Sequence, residues 1–461
     1  MTNRGYSTLL TRRRFAQLTG MSAGSVLLGA TPGAAAPPDV TLEIAPYTLE
    51  ASPKHHIRTV AYNGQVPGPL LRLKEGQPVT IEVSNQTPNS EVVHWHGLFL
   101  PSAVDGAMEE GTPPIPPGGR ARYTFTPRPA GFRWYHTHIF AGKDLHKGQY
   151  TGQHGFLLIE PRSHPAPRSA SYDQEIFLAL HDWDGQLLAS DDGAMDPAYS
   201  VSTINGRVLG FGEPLRVRSG QKVLLQILNS SPTEVHWIAL AGHPLRVLAL
   251  DGNDVAQPQL VSMLRLAPAE RVTAVVEMNH PGVWVLGEVR KHVMAAGMGI
   301  VVEYAGATGE PRWDQPADLS WDYLHFAAAG PPPPPPGAAE EIPLVFASKF
   351  AGHGAMEHWT INGKSYPEAS VPALTTGRRY RLLFINRSTN DHPVHLHRHS
   401  FELRRFSGGP ETHGVIKDTV LVDAQTQVEV EFTAGDPGPT LFHCHQQNHM
   451  DMGFMLLLKY A

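Results

Sequence analysis

The sequence predicts an all-β protein built as three consecutive Greek-key β-sandwich domains, and two observations carry that prediction. The first is composition. Among 461 residues there are 41 prolines and 44 glycines, interleaved with short runs of Val, Ile, Leu and Thr, which is the pattern of many short strands joined by turns. The second is internal repetition. Residues 70–87 (LLRLKEGQPVTIEVSNQT), 214–231 (PLRVRSGQKVLLQILNSS) and 374–389 (LTTGRRYRLLFINRST) share one plan. A glycine (Gly76, Gly220, Gly377) precedes an alternating strand, which ends nine residues later at an asparagine (Asn85, Asn229, Asn386). A histidine-bearing strand follows each time: VVHWHG at 92–97, EVHWIAL at 234–240 and HPVHLHRH at 392–399. The second halves repeat as a turn, an alternating strand, a Pro/Gly turn and a closing strand, ending in AGMGIVVEY and MGFMLLLKY in the last two units. Each unit has the size of a small β-sandwich.

Taken in order, residues 1–36 read as a twin-arginine export signal. Thr11-Arg12-Arg13-Arg14-Phe15 precedes an apolar run from Met21 to Ala30 and then Ala34-Ala35-Ala36. The run is too short to span a bilayer. Export through this route predicts a periplasmic or secreted protein that carries a cofactor. Removing these residues takes away Arg4, Arg12, Arg13 and Arg14 and no acid, so the formal charge goes from −6 to −10. A mildly acidic mature chain argues against nucleic acid as the main partner, and no membrane span is expected in it.

The first sandwich is expected over 37–165, ending at the linker-like SHPAPRSA, and the second over 166–326. Residues 327–338 (AAAGPPPPPPGA) form a proline-rich linker, extended because each proline forbids the helix. The third sandwich fills 339–461.

Chemistry concentrates in four short clusters that hold ten of the 25 histidines. They are His94-x-His96, His136-x-His138, His392-x-x-His395-x-His397, and His443-Cys444-His445 with His449. Two-residue spacing on a strand puts both side chains on one face, as a metal site requires. The second unit is an internal control. It has His236-Trp237-Ile238 and Leu286-Gly287-Glu288 at the equivalent places, so the clusters are not needed to build the sandwich. Cys444 is the single cysteine and cannot form an internal disulfide. A soft thiolate with two imidazoles makes a blue-copper electron-transfer site, and Cys444, His392 and His449 supply that set. His443 and His445 point to the opposite side of the strand, free to serve a different metal.

The four clusters, their order and the triple repeat resemble the multicopper oxidase family in its three-domain, laccase-like form, over essentially the whole chain beyond the signal. The resemblance implies cupredoxin-like domains and copper as cofactor: one type 1 ion, one type 2 ion and a type 3 pair. It implies that His94 and His395 hold the type 2 copper, that His96, His136 and His445 hold one type 3 copper, and that His138, His397 and His443 hold the other. The partners it implies are a small-molecule electron donor, phenolic or aromatic amine, and dioxygen, which is reduced to water.

Two positions depart from the family pattern. The axial place of the type 1 copper, ten residues after the cysteine, is Phe454, which cannot ligate and so raises the potential. Met455 is next door, but on a strand it points away. Met450 occupies a place where related bacterial sequences carry a glutamate, which leaves Asp105 as the expected proton relay. Competing readings are a metal-ion oxidase such as a cuprous oxidase, a copper nitrite reductase, and a non-catalytic copper-binding or cell-envelope protein. No methionine-rich insertion interrupts the third unit, a nitrite reductase has two such domains per chain, and structural relatives lack the full ligand set.

Overall fold

A computed structural model describes residues 36–162, 171–189, 194–333, 337–349 and 351–461. The export signal and the SHPAPRSA segment lie outside them, apart from Ala36. Residues Pro38–Ala461 form one compact unit. Strands make up 48% of the structure and helix 6%, and no helix among the described residues is long and apolar enough to cross a membrane.

The strands assemble as three pairs of facing sheets, with one extra hairpin, Gln186–Ala189 with Met195–Ala198. In each pair, one sheet is organised by the repeated strand that the sequence marks: Val79–Asn85, Lys222–Asn229 and Arg379–Asn386. Each of these pairs in parallel with the first long strand of its unit and antiparallel with a later one. Such non-local pairing is how a Greek-key sandwich closes.

The repeated glycine and asparagine have the same job three times. Gly76, Gly220 and Gly377 take φ of 71°, 79° and 79°, a turn conformation that glycine adopts without strain. Their amides donate to Pro127, Met278 and Ala434 carbonyls. At the far end, each asparagine is buried and its side-chain amide bonds backbone across the sandwich. Asn85 Nδ2 donates to Asn89 and Ile115 oxygens, Asn229 Nδ2 to Glu234 and Leu266, and Asn386 Nδ2 to Asn390 and Val422. Each Oδ1 accepts the amide two residues on, from Thr87, Ser231 or Ser388.

The other sheet of the first and third units carries the histidines. In the first unit its order runs Gly68–Lys74, His154–Glu160, Gly131–Thr137 and Val93–His94. In the third it runs Thr419–Val422, His392–Leu396, Thr440–Cys444 and Met455–Leu458. The first unit has its own apolar core around Ile81, Trp95 and Tyr135. The cores of the second and third run together, from Leu178 through Phe326 to Leu458. The opening of the proline-rich segment is part of that packing: Ala327 is buried, and the Ala328 amide donates to the His413 carbonyl. Residues 334–336 lie outside the described residues.

Candidate metal centre

Strand register brings the clusters together. His94 faces His136 across one ladder, and His395 faces His443 with Val394 opposite Cys444 across another. Because side chains alternate along a strand, Cys444 points into the third sandwich while His443 and His445 point out of it towards the first. All ten imidazoles and the Cys444 thiol are at most 1% exposed.

Inside the third sandwich, Cys444 Sγ lies 3.8 Å from His392 Nδ1 and 3.6 Å from His449 Nδ1, and those two nitrogens are 3.1 Å apart. His392 Nε2 donates to Ser388 Oγ at 2.8 Å, which turns Nδ1 towards the sulfur. Ser388 is itself fixed by the Asn386 staple, so the repeat that builds the sandwich also aims this ring. His449 sits on a one-turn helix, Gln447–Asp451. The first unit holds that helix: Gln447 Oε1 accepts the Gln149 amide, and Asp451 Oδ2 accepts the Ala141 and Gly142 amides. Phe454 is fully buried, with its ring 4.7 Å from that of His392 and 4.8 Å from Phe346. Met455 turns the other way, into a cluster with Leu441 and Met450. Trp359 covers the site, its ring 4.1 Å from His449 and 4.7 Å from His392. Burial pushes the Cys444 thiol up, so the thiolate forms at neutral pH only against a positive partner.

The other eight histidines meet where the first and third sandwiches join. His138, His397 and His443 converge, with His443 Nε2 3.0 Å from His397 Nε2 and 3.5 Å from His138 Nε2. The rings of His96, His136 and His445 lie 5.1 to 5.6 Å apart. His94 and His395 complete the group with ring centroids 5.8 Å apart. Bonds on the outer side of each ring decide which nitrogen faces inward. His94 Nδ1 donates to the Asp105 carbonyl, His136 Nδ1 to Thr137, His395 Nδ1 to Asp418 and His443 Nδ1 to Cys444.

What these bonds leave is the test of metal fit. His94 Nε2, His96 Nδ1, His136 Nε2, His395 Nε2 and both nitrogens of His445 are buried without a protein partner. Burial, reinforced by repulsion from neighbouring imidazoles, holds His96, His136, His138, His395, His397, His443 and His445 far below the ordinary imidazole range, His138 and His395 to about 3. Burial alone takes His449 to about 3. They are therefore neutral, with lone pairs aimed at one another. Five or more orphaned acceptors in one enclosed space are costly unless cations share them, and neutral imidazole with one thiolate is a copper-type donor set. The residues present fit copper.

Asp105 ends a one-turn helix, Ser102–Asp105, capped by Gly106 at φ 104°. Its Oδ2 accepts from His397 Nδ1 at 2.9 Å and lies 3.1 Å from His94 Nδ1, while Oδ1 is buried without a partner. The Asp-Gly step is thus both a turn and a carboxylate set between two cluster imidazoles. Sequence reading missed two further acids. Glu110 is buried with Oε1 3.6 Å from His397 Nδ1 and accepting the Leu441 amide. Asp418 Oδ1 accepts from His96 Nε2 at 3.1 Å. Neither stands in a motif, and each reaches the cluster only through tertiary folding.

Multicopper oxidase family descriptions match residues 44–164, 177–299 and 345–461, one for each pair of sheets. Among characterised proteins, the chain is 28% identical to the multicopper oxidase MmcO of Mycobacterium tuberculosis, over 88% of this chain and 83% of that one. It is 26% identical to Laccase-2 of Fomitopsis schrenkii, over 87% and 86%. Among solved structures, a multicopper oxidase from Pseudomonas thermotolerans superimposes with a TM-score of 0.72 at 25% identity, covering 91% of this chain and 98% of that one.

Proposed function

The chain belongs to the multicopper oxidase family, and we propose that its electron donors are phenols or aromatic amines, as in a laccase. Copper held by Cys444, His392 and His449 would supply one-electron transfer, and copper held by the eight clustered histidines would supply reduction of dioxygen to water.

The observation that carries this reading is the division of one tripeptide between two ligand groups. Cys444 faces His392 and His449, while His443 and His445 face the cluster. The two groups are therefore joined by a few covalent bonds, and an electron accepted on the sulfur side needs no diffusing carrier. Asp105, whose Oδ2 meets the His94 and His397 imidazoles, would serve as the proton relay, the role left open by Met450.

Support for an organic donor comes from the walls of the sulfur site. Trp359, Phe454 and Phe346 make them aromatic, and no methionine-rich insertion crosses the third unit. A second reading, oxidation of a soft metal ion such as Cu(I), is favoured by Met450 and Met452 flanking Asp451 and by the buried Met356 preceding Trp359. Export by the twin-arginine route belongs to the proposal as well, resting on Arg12, Arg13 and the short apolar run after them.

Oxygen uptake measured with a phenol, an aromatic amine, Cu(I), Fe(II) and Mn(II) separates the readings. We expect the organic donors to have the higher kcat/KM. Faster uptake with Cu(I) than with any phenol would transfer the assignment to metal-ion oxidation.

A further inference from the structure

We infer that Arg271, from the second sandwich that holds no cluster ligand, positions the histidine cluster by clamping Asp418. The inference rests on reading that cluster as a copper site.

Asp418 governs two rings at once. Its Oδ1 accepts from His96 Nε2 at 3.1 Å, so the unpartnered Nδ1 is the nitrogen that faces the cluster. Its backbone carbonyl accepts from His395 Nδ1 at 2.7 Å, which leaves Nε2 inward. These two rings stack with centroids 3.8 Å apart. A rotated Asp418 carboxylate would leave His96 Nε2 only the longer contact to Thr419 Oγ1 at 3.3 Å, and Thr419 Oγ1 itself donates to Asp418 Oδ1, so the choice of inward nitrogen would be weakened.

Arg271 is what prevents that rotation. NH1 donates to Oδ1 at 2.7 Å and NH2 to Oδ2 at 2.6 Å, a bidentate pair between two fully buried side chains. The guanidinium is fixed in turn by the Ala269 and Asp251 carbonyls. Asp251 is held by Lys417 Nζ at 2.9 Å, and Lys417 also reaches Glu270 at 3.1 Å. Arg133 from the first unit lies 3.4 Å from Asp418 Oδ2. There is no room to readjust: a Cβ on Gly97 would lie 2.7 Å from Asp418 Oδ2 and 2.9 Å from Arg271 NH2. All three sandwiches thus converge on one carboxylate, and the second contributes the fork that sets its orientation.

A merely structural role makes a different prediction. If Arg271 only neutralises Asp418, Arg271→Lys restores everything, because the charge is kept. If the fork sets orientation, one ammonium cannot reproduce four directed donations. We expect Arg271→Lys and Arg271→Met to keep the blue absorption of the Cys444 site while copper affinity at the histidine cluster falls about 10–100-fold. The readouts are copper per chain after dialysis against a chelator and the relative strength of the cluster and blue-site spectra. The unfolding midpoint of the metal-free proteins reports folding. Full cluster copper with unchanged spectra in Arg271→Lys, or parallel loss at both sites, would overturn the inference. So would failure of both variants to fold, which assigns Arg271 to stability. A wild-type chain without copper at the cluster would instead remove the reading on which the inference rests.

Discussion

At the scale of single residues, the sulfur site and the oxygen site can be told apart by substitutions that touch one and spare the other. Cys444→Ser replaces a soft anionic ligand by a hydroxyl, so blue absorption and oxidase activity should both vanish. Copper at the eight histidines should largely stay, as a copper count would show. Phe454→Met keeps nearly the same volume in a fully buried position, at a stability cost under about 1.5 kcal/mol. A thioether there can approach the sulfur site and stabilise its oxidised form, so a redox titration of the blue band should give a lower potential. An unchanged or higher potential would remove Phe454 from the axial place. Asp105→Asn keeps the size and removes the carboxylate whose Oδ2 meets His397 and His94. It should slow oxygen reduction more than electron entry, leaving the blue site reduced during turnover. The ligand imidazoles stood out in the sequence because they fall in short clusters at fixed spacings, and Asp105 because it matches the acid of the family pattern after the first cluster. Asp418 and Glu110 did not, because they lie 322 residues from His96 and 287 residues before His397. Only the fold makes them neighbours.

At the scale of elements, the strand–asparagine repeat does for every sandwich what a local motif cannot: it ties the end of one strand to two separate backbone segments. Its recurrence made it visible in the sequence, but its mechanism is tertiary. Asn229 offers the cleanest test, since its sandwich carries no cluster ligand. Asn229→Ala deletes bonds to the Glu234 and Leu266 carbonyls and to the Ser231 amide, all in a fully buried setting. Leaving those groups unpaired should cost about 2–4 kcal/mol, read as a shift of the denaturant midpoint of the metal-free protein. A loss under about 0.5 kcal/mol would mean that water or neighbours replace the bonds. The alternation of side chains along Thr440–Cys444 was equally legible, because period two follows from strand geometry alone. The helix that presents His449 was less so. Five residues carry no helical period, and it is held by Gln149 and the Ala141–Gly142 amides of another unit.

At the scale of the whole molecule, the second sandwich is more than a spacer. His236 occupies the place equivalent to His94, and the structure gives it a different duty: Nε2 donates to Asp182 at 2.8 Å and Nδ1 approaches Glu288 at 3.0 Å. Burial alone would lower this imidazole, but Asp182 and then Glu288 overcome it and raise it to about 9. Since the unfolded value is about 6.5, the stabilisation is complete below that pH and is lost as pH climbs through 9. His236→Gln should therefore lower the unfolding midpoint of the metal-free protein near pH 6, by on the order of 3 kcal/mol, and converge with the wild type above about pH 10. A constant difference across that window would show that the triad is not charged as described. Above this scale stands the claim that one tripeptide joins two sites across the meeting of the first and third sandwiches. Its most direct test is the ratio of donor oxidised to dioxygen consumed, with peroxide measured in the same reaction. If electrons entering at Cys444 pass through His443 and His445 to a single oxygen site, about four one-electron donors disappear per dioxygen and no peroxide is released. A ratio near two with peroxide accumulating, or an enzyme that turns over at the wild-type rate as Cys444→Ser, would contradict it.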